Sequence, residues 1–324
     1  MFLLIILGVI YYCSYRIYHR YFLPSPNIDP TGKYVLISGC DTGVGHLLAI
    51  ELDKQGFHVL AGIHNLDNFS ALSDKLSSRA TVFRLDVTKQ DEIDAVFQII
   101  RSKTNALHAL VNNAGIADGY LIDWTSVETI RRVMDVNYFG AVAMTKTCLP
   151  LLIAKRSSRV VNVSSISGYV SFAGTSALSA SNHALEAFSD CLRREMTQWD
   201  LHVSIIEPGA MRTAFIENLD YRIENLWRQL TKIVQDRYGD IFFHNTVLQV
   251  KNSSVIVGAE NPNKVVLAIQ HAISNSSPAI RYRPGWQSNS FFLLSCICPT
   301  QIMDFLLNLG ETSIPAGVQH QLSE

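Results

Sequence analysis

Residues 38–45 read Ser-Gly-Cys-Asp-Thr-Gly-Val-Gly, a turn with the glycine spacing G-x-x-x-G-x-G. An apolar run from Tyr34 to Ser38 precedes the turn and predicts a strand, and an amphipathic stretch from Val44 to Gln55 predicts a helix after it. The glycines at Gly39, Gly43 and Gly45 let the backbone turn tightly and approach a pyrophosphate at the helix N-terminus. The order strand, turn and helix therefore predicts a dinucleotide-binding unit.

On either side of this unit, short apolar runs alternate with amphipathic stretches such as Asp91 to Arg101. Strands that alternate with helices favour right-handed crossovers and a parallel sheet covered on both faces. We therefore predict an α/β fold, a Rossmann-type doubly wound parallel sheet in a single domain at residues 33–260. Five further strands are predicted at His58 to Ile63, Thr81 to Leu85, Ala109 to Asn112, Arg159 to Val163, and His202 to Glu207.

After about residue 210 the alternation stops, and residues 261–324 are predicted to form a helical extension. The pattern predicts helices at Tyr221 to Tyr238 and Lys264 to Ile273, and a polar loop from Lys251 to Asn263. The stretch from Phe291 to Leu309 is strongly apolar but is interrupted by Pro299, Gln301 and Asp304. It fits either an interfacial membrane contact or a helix of the core.

The N-terminal segment from Met1 to Tyr15 has no charged side chain and is followed by Arg16, His19 and Arg20. Fifteen helical residues reach about 22 Å, which is short of a hydrocarbon core of roughly 30 Å, but a helix extended to Leu23 could just span it. No small-residue cleavage site follows, so a retained anchor at residues 1–23 is favoured over a cleaved signal peptide or a core helix. Prolines then predict a linker at residues 24–32, and the basic flank favours a cytosolic main domain.

Charge and cysteine content narrow the classes of partner. The formal net charge is −1, without the lysine and arginine stripe that a nucleic acid backbone requires. The six cysteines form no C-x-x-C pair and show no metal-ligand spacing with histidines, which predicts reduced, packed thiols and no metal site. We therefore expect small molecules or membranes as partners and no nucleic acid.

The glycine spacing resembles that of the short-chain dehydrogenase/reductase superfamily, and further motifs follow in the family's order. The closest resemblance is to the membrane-bound branch that contains retinol dehydrogenases and type 2 hydroxysteroid dehydrogenases. The resemblance covers about residues 31–310 and implies a nicotinamide dinucleotide site. The matching positions are Asp86 beside the adenine, Asn113, Ala114 and Gly115 after the fourth strand, Asn137 of a proton relay, the serine Ser165 in VNVSS, and Pro208, Gly209 and Thr213 near the nicotinamide.

The resemblance also implies that two residues of the family's catalytic chemistry are replaced in this chain. Family chemistry uses a tyrosine that exchanges a proton with the substrate and a lysine one helical turn later that lowers the tyrosine pKa. Counting from Ser165 places the tyrosine position at Ala177 or Leu178. The downstream HALEAFSDCLRRE independently places the lysine position at Asn182 and hence the tyrosine position at Leu178. His183 is the only adjacent titratable group, and helical geometry turns it away from the expected face.

The choice of cofactor depends on the glycine turn and the end of the second strand. NADP-dependent relatives place an arginine or lysine there for the 2'-phosphate, whereas this chain has Asp41 in the turn and His64-Asn65-Leu66-Asp67 after the strand. A dianionic phosphate would meet negative charge without a bidentate partner. The sequence therefore favours NAD(H) over NADP(H).

Two functions from different classes remain open. One is a catalytically impaired protein that keeps the cofactor fold, which the two replacements favour. The other is an active NAD-dependent oxidoreductase acting on a lipophilic alcohol such as a steroid or retinoid, which the branch resemblance and the anchor favour. The resemblance also implies localisation at the endoplasmic reticulum membrane and, through the helices Thr125 to Pro150 and Ser179 to Trp199, a homodimer.

Overall fold

The computed structural model describes residues 26–308 and 313–323, together with residues 8, 11 and 14, but not the side chains of residues 215 and 323. Apart from those three isolated positions, the anchor predicted at residues 1–23 lies outside the described residues, as do residues 24–25 of the predicted linker. Within the described residues, no helix combines the length and the apolar composition needed to cross a bilayer.

The first half of the domain alternates strands and helices from the start. Its elements are β1 (Tyr34–Ile37), α1 (Gly43–Gln55), β2 (His58–Ile63), a 3₁₀ turn (Leu66–Asn68), α2 (Phe69–Ser73), β3 (Thr81–Arg84) and α3 (Gln90–Lys103). Alternating apolar runs and amphipathic stretches produce this order because each strand is buried on both faces and each helix covers one of them.

The second half continues the alternation up to β6. Its elements are β4 (Ala109–Asn112), a 3₁₀ turn (Ile122–Trp124), α4 (Val127–Met134), a π-helical turn (Asp135–Gly140), α5 (Ala141–Leu152), β5 (Arg159–Val163), a 3₁₀ turn (Ile166–Gly168), α6 (Ser176–Glu195), a 3₁₀ turn (Thr197–Trp199) and β6 (His202–Ile206). All six predicted strands are present, each within one residue of its predicted ends.

The region after β6 is almost entirely helical. Its elements are α7 (Ala214–Glu217), α8 (Leu219–Gln229), α9 (Lys232–Tyr238), α10 (Asp240–Asn252), α11 (Ser254–Val257), α12 (Asn263–Ser274), β7 (Arg281–Tyr282), α13 (Trp286–Ile297), α14 (Thr300–Leu307) and α15 (Ala316–Ser323). The helix α12 matches its prediction within one residue at each end.

Two predictions for this region were wrong, and further elements were not predicted. The single helix predicted from Tyr221 to Tyr238 is divided into α8 and α9, because Leu230 and Thr231 have extended backbone angles. The polar loop predicted from Lys251 to Asn263 contains α11, whose N-cap Ser253 accepts a hydrogen bond from the amide of Ile256. The helix α10 and the strand β7 were not predicted, since β7 has only two residues and carries no alternating pattern.

The strands form one parallel sheet in the order β3-β2-β1-β4-β5-β6-β7. The Rossmann-type, doubly wound α/β prediction is confirmed. The strand order reverses between β1 and β4, which pair through Val35 with Ala109 and Ile37 with Val111. In such sheets the crevice beyond the carboxyl ends of the strands at this reversal is where ligands bind.

Fully buried side chains cover both faces of the sheet. On one face, Val35 and Ile37 of β1 pack with Leu48 of α1 and with Val265 and Ile269 of α12. On the other face, Leu36 packs with Leu110 of β4 and with Ile100 and Met144 from the covering helices. Adjacent residues of β1 thus support opposite layers, and α12 belongs to the layer formed by α1.

The short edge strand β7 is held by an ionic cluster. Arg281 donates from Nε to Oε1 of the buried Glu207 at 2.8 Å and from its terminal nitrogens to Glu186 at 3.1 Å and Asp190 at 3.3 Å. Arg283 adds an ion pair, its Nε lying 2.7 Å from Oε2 of Glu207. Burial, and secondarily the nearby Glu186 carboxylate, raise the pKa of Glu207 to about 7. Ionisation of this buried carboxyl is therefore unfavourable, and the two arginines stabilise its ionised form.

Replacing Arg281 with methionine should lower the free energy of unfolding by about 3 kcal/mol, because it removes one of the two guanidinium groups paired with the buried Glu207 and the one paired with the half-buried Glu186. Urea denaturation of the full chain measures this change. The matched control is Arg84→Met, which removes an exposed guanidinium 3.0 Å from Glu92 and should cost less than about 1 kcal/mol. Equal losses in the two variants would contradict the role of the cluster in stability.

Candidate dinucleotide and active site

The predicted cofactor positions lie in the loops and helix starts that follow the carboxyl ends of the strands. The turn at 38–45 follows β1, Asp86 follows β3, Asn113 to Gly115 follow β4, and Pro208 and Gly209 follow β6. Because all strands run in parallel, these positions share one edge of the sheet. Ser165 follows β5 and joins the same edge.

The glycine turn has the backbone geometry that its sequence predicts. Gly39 and Gly43 have φ angles of +70° and +62°, in the region that glycine adopts without strain. Gly45 is required for a different reason. A Cβ atom at Gly45 would lie 2.3 Å from the carbonyl oxygen of Gly39 and 2.5 Å from Nδ2 of Asn113, so no side chain fits.

Asn113 fixes this turn to the end of β4. Its Nδ2 donates to the carbonyl oxygens of Ser38 at 3.0 Å and Gly39 at 2.9 Å. In return, Ser38 Oγ accepts hydrogen bonds from the amides of Asn113 and Ala114, each at 3.1 Å. These four bonds join β1 to β4 across the point where the strand order reverses.

The N-terminus of α1 suits a pyrophosphate. The helix begins at Gly43 and Val44, and its first turn contains no acidic side chain. The N-cap residue Thr42 makes no side-chain capping bond within the described part of the chain. The first amides of the helix are thus directed at a position where a phosphate could accept from them. The residues present fit the dinucleotide that the motif implies.

Two carboxylates, those of Asp41 and Asp86, lie at the end of the crevice where the resemblance places the adenosine. Asp41 accepts from the amide of His64 through Oδ2 at 2.9 Å and from the amide of Asn65 through Oδ1 at 2.7 Å. This side chain therefore joins the glycine turn to the end of β2 and places a carboxylate there. Partial burial acts to raise the pKa of Asp86, but hydrogen bonds from Thr88 outweigh it and hold that pKa below its ordinary value.

The loop after β6 closes toward the glycine turn. The carbonyl oxygen of Pro208 accepts from the amide of Ile166 at 2.8 Å, and the amide of Gly209 donates to Pro284 at 3.2 Å. Thr213 is the N-cap of α7, and its methyl group would lie 3.8 Å from a Cβ atom placed on Gly43. The predicted nicotinamide loop and the pyrophosphate turn therefore lie next to each other.

Ser165 begins the 3₁₀ turn that follows β5. Its side chain accepts from the amide of Ser167 at 3.2 Å, which fixes the position of the hydroxyl oxygen. The hydroxyl proton is not used in that bond, so Ser165 can still donate to an oxygen of a bound molecule.

Asn137 lies in the π-helical turn and links three segments. Its Oδ1 accepts from the amide of Ile116 at 2.8 Å, while its Nδ2 donates to the carbonyl oxygen of Ile116 at 2.9 Å and to Ser181 Oγ at 3.0 Å. Single turns of π-helix occur frequently at functional sites because they redirect one side chain. Here the turn connects the loop after β4 with α6.

Leu178 and Asn182 lie one turn apart on α6, on either side of Ser181 in the sequence. Leu178 is half-buried, and Asn182 is buried and donates from Nδ2 to the carbonyl oxygen of Leu178 at 2.9 Å. Ser181 Oγ donates to the same carbonyl oxygen at 2.9 Å. This face of α6 is thus held close to Asn137, but neither Leu178 nor Asn182 can exchange a proton at neutral pH.

His183 is exposed, and its Nδ1 lies 2.9 Å from the carbonyl oxygen of Ser179. A bond to a carbonyl requires the proton on Nδ1, so the ring is bound to its own helix. This agrees with the prediction that His183 faces away from the site.

Three serines and a buried pair of asparagines support the site without having been predicted. Asn112 donates to Asn162 Oδ1 at 2.8 Å, and Asn162 donates to Ser189 Oγ at 2.7 Å, which fixes α6 against β4 and β5. Ser38 and Ser181 hold Asn113 and Asn137 as described above. Ser38 is the first residue of the glycine turn and Ser181 precedes Asn182, whereas Ser189 lies beside no predicted site residue and carries no signal in the sequence.

A groove on the described surface lies away from these residues. It has a volume of about 480 Å³ and is lined by residues of α8 and α10, including the stacked rings of Trp227 and Phe243 at 4.7 Å. None of the predicted site residues lines this groove. Within the described residues, no group of three or more His, Cys, Asp or Glu side chains is arranged to hold a metal ion.

Comparisons with known proteins agree on one family. A family model described as short chain dehydrogenase matches residues 33–223. Retinol dehydrogenase 7 of Mus musculus is 37% identical over 279 residues, covering 85% of this chain and 87% of that protein. The 17-beta-hydroxysteroid dehydrogenase type 6 of Bos taurus is 35% identical over 281 residues, covering 85% of this chain and 87% of that protein.

Solved structures share the fold at lower identity. A short chain dehydrogenase/reductase from Burkholderia phymatum in complex with NAD has a TM-score of 0.70 and 18% identity, covering 89% of this chain and 99% of that one. A short chain dehydrogenase from Burkholderia cenocepacia in complex with NADP has a TM-score of 0.66 and 20% identity, covering 86% of this chain and 99% of that one.

Replacing Gly45 with alanine should lower the affinity for nicotinamide dinucleotides at least about tenfold, because the new Cβ atom forces the glycine turn and Asn113 apart. Isothermal titration with NADH measures this loss. The control is Gly32→Ala, which places a Cβ atom in open space outside the site, at a glycine with a φ of +68°, and should leave the affinity unchanged. Unchanged affinity in Gly45→Ala would show that this turn does not hold the cofactor.

Proposed function

We propose that this protein, which belongs to the short-chain dehydrogenase family, binds a nicotinamide dinucleotide. We further propose that it is severely impaired in the family's hydride-transfer reaction. Such a protein would respond to the nucleotide or hold a lipophilic molecule beside it, without efficient turnover. The proposal concerns the proton-exchanging part of the site and leaves the cofactor part intact.

The observation that carries the proposal is the pair Leu178 and Asn182 on α6. A carbonyl substrate that receives a hydride must also receive a proton, and an alcohol that loses a hydride must lose one. Leu178 has no exchangeable side-chain proton, and Asn182 has no positive charge that could stabilise a phenolate. Instead, the amide of Asn182 donates to the carbonyl oxygen of Leu178 at 2.9 Å. General acid-base help is worth about 10² to 10⁴ in rate.

The remaining residues can still bind and orient. A bound nicotinamide would supply the hydride or accept it. The glycine turn and the first amides of α1 would hold the pyrophosphate, and Thr213 would contact the nicotinamide end. The hydroxyl of Ser165 can donate to a substrate oxygen, and Asn137 holds α6 against the loop after β4. Together these groups polarise and position a ligand but do not exchange its proton.

NAD(H) is the nucleotide that we propose. The Asp41 carboxylate is fixed by two backbone amides at the end of β2, where a 2'-phosphate would approach. The residues that follow β2, His64 to Asp67, carry no arginine or lysine. A phosphate there would be repelled by Asp41 without a compensating partner.

The second ligand that we propose is a small lipophilic molecule. We also propose that the protein is bound to a membrane, namely that of the endoplasmic reticulum. The similarity to a retinol dehydrogenase and a hydroxysteroid dehydrogenase supports a lipophilic ligand. The uncharged segment from Met1 to Tyr15 and the exposed side chains of α13 and α14 support membrane association. Orientation toward the cytosol is supported by Arg16 and Arg20.

Self-association is a further part of the proposal. The segment of α4, the π-helical turn and α5 carries the exposed apolar residues Val127 and Phe139, which are 55% exposed each. A homodimer that pairs this segment and α6 with their counterparts would cover these side chains.

The alternative is an active NAD-dependent oxidoreductase on a steroid or retinoid alcohol. It is favoured by the retention of Ser165 and Asn137 in their positions and by the dehydrogenases among the relatives. Activity would then require a proton donor that the sequence motif does not supply.

The double variant Leu178→Tyr with Asn182→Lys should raise turnover by about 10² or more over the natural chain, because it restores the proton donor and its cation. NADH formation or consumption over a panel of steroids, retinol and retinal measures the effect. The control is the same double variant with Ser165→Ala, which should lose most of the gain. Robust turnover by the natural chain that is abolished by Ser165→Ala would overturn the proposal in favour of the alternative.

NADH should bind at least about tenfold more tightly than NADPH, and Asp41→Ala should narrow that ratio by removing the repelling carboxylate. Competitive titration monitored by nucleotide fluorescence measures both affinities. Asp91→Ala, an exposed acidic position on α3, serves as the control and should leave the ratio unchanged. Tighter binding of NADPH to the natural chain is the result that contradicts the NAD preference.

A further inference from the structure

The last two thiols of the chain lie close together at the end of α13. Cys296 is exposed, and Cys298, the C-cap residue of this helix, is half-buried. Pro299 follows directly and begins α14. The other thiols in the described part of the chain have different settings, since Cys40 and Cys148 are buried and Cys191 is exposed on α6.

Exposed apolar side chains surround this pair of thiols, and we call them the C-terminal apolar surface. The surface consists of Leu293, Leu294, Ile297, Ile302, Phe305 and Leu306. Ile297 is 68% exposed and Phe305 is 66% exposed, although both are large and apolar. No residue of α14 is buried. Six exposed apolar side chains within fourteen consecutive residues mark a contact with another molecule or with a membrane.

The beginning of α13 is fixed to the domain, so the exposed end of this helix has a defined position. Gln287 Oε1 accepts from the amide of Ala210 at 2.8 Å, and Ser288 Oγ donates to the carbonyl oxygen of Glu207 at 2.5 Å. The hydroxyl of Tyr169 donates to the carbonyl oxygen of Ser288 at 2.7 Å. These bonds hold the start of α13 beside the loop after β6, while its other end is exposed.

The chemistry of the surface identifies a lipid bilayer as its occupant. From Trp286 to Met303 the sequence contains no Asp, Glu, Lys or Arg, and Asp304 is the first charged residue after Arg283. Protein interfaces carry a polar and charged rim around their apolar centre, whereas helices that enter the acyl boundary of a membrane present uncharged apolar faces. The thiols therefore lie where a membrane would meet the domain.

We propose that Cys296 and Cys298 are sites of S-acylation by long-chain fatty acyl groups, and that the attached chains anchor the C-terminal apolar surface in the bilayer. The donor class is an acyl-coenzyme A thioester. Each Sγ atom forms a bond to the acyl carbonyl carbon, the bond from that carbon to the coenzyme A sulfur breaks, and the proton of the cysteine thiol leaves with coenzyme A. No oxidation or reduction takes place. The inference rests on the proposed membrane association.

Two sites have a consequence that one site would not have. A single acyl chain gives marginal and reversible membrane binding, whereas two anchoring signals give stable attachment. Cysteines beside an apolar helical surface at a membrane are typical substrates for reversible acylation. The pair would therefore allow the attachment of this end of the protein to be regulated independently of the N-terminal segment.

The test uses the full chain expressed in eukaryotic cells with Cys13→Ser, so that the N-terminal thiol does not contribute. Free thiols are blocked, acyl thioesters are cleaved with hydroxylamine, and each released thiol is labelled with a polyethylene glycol maleimide that shifts the band on a gel. We expect two labels per chain when both Cys296 and Cys298 are present. Each single variant, Cys296→Ser or Cys298→Ser, should keep one label, and the double variant should carry none. The matched control is Cys191→Ser, an equally accessible thiol beside the ion pair of Asp190 and Arg193, which should keep both labels.

Membrane flotation of the same samples separates this inference from the proposed function. Chains that float with membranes but carry no hydroxylamine-sensitive label contradict the acylation alone. Chains that neither float nor carry a label contradict the membrane proposal as well. Labels that persist in the double variant would place the acyl groups elsewhere and also overturn the inference. The thermal unfolding midpoint of the double variant should equal that of the control, because both changes are at the surface.

Discussion

The exchange of hydrogen bonds between Asn113 and Ser38 is the interaction on which the site depends. It joins the ends of β1 and β4, the two strands between which the order of the sheet reverses, and it fixes the carbonyl groups of the glycine turn. Gly45 has no side chain because Asn113 and Gly39 occupy the space that one would need. The direction of α1, and with it the position of its first amides, follows from this junction. The crevice exists because a polar bond, and not only apolar packing, holds the strands at their carboxyl ends.

Sequence reasoning predicted the central sheet and the backbone geometry of the glycine turn well, for physical reasons. Strands buried on both faces need continuous apolar runs, and glycines at a phosphate-binding turn are required by positive φ angles or by close contacts, so both leave clear patterns. The helices after β6 left weaker patterns, because α8 and α9 break at Leu230 without a proline or glycine. The edge strand β7 was missed because its position comes from Arg281 bound to Glu207, Glu186 and Asp190, contacts between residues far apart in the sequence.

In the candidate active site, too, some residues could be predicted from the sequence and others could not. Motif order located Ser165 and Asn137, whereas Ser181, which receives the hydrogen bond of Asn137, has no motif of its own. Around Leu178 the helix α6 is hydrogen-bonded to Asn137, and under the proposed function its chemistry differs from that of the family. The bond from Asn182 to the carbonyl oxygen of Leu178 uses a backbone group of the same helix, so this substitution satisfies a buried amide without restoring a charge. Under the proposed function, the loss of proton exchange leaves the cofactor half of the site undisturbed.

The central claim is that nucleotide binding and proton exchange are separated in this protein. The most direct measurement follows the fluorescence of NADH bound to an excess of the purified full chain, before and after addition of a steroid ketone or retinal. The account predicts that fluorescence changes when NADH binds and then stays constant over many minutes with the carbonyl compound present. A decay of the bound NADH signal on the timescale of seconds, with formation of the matching alcohol, would contradict it.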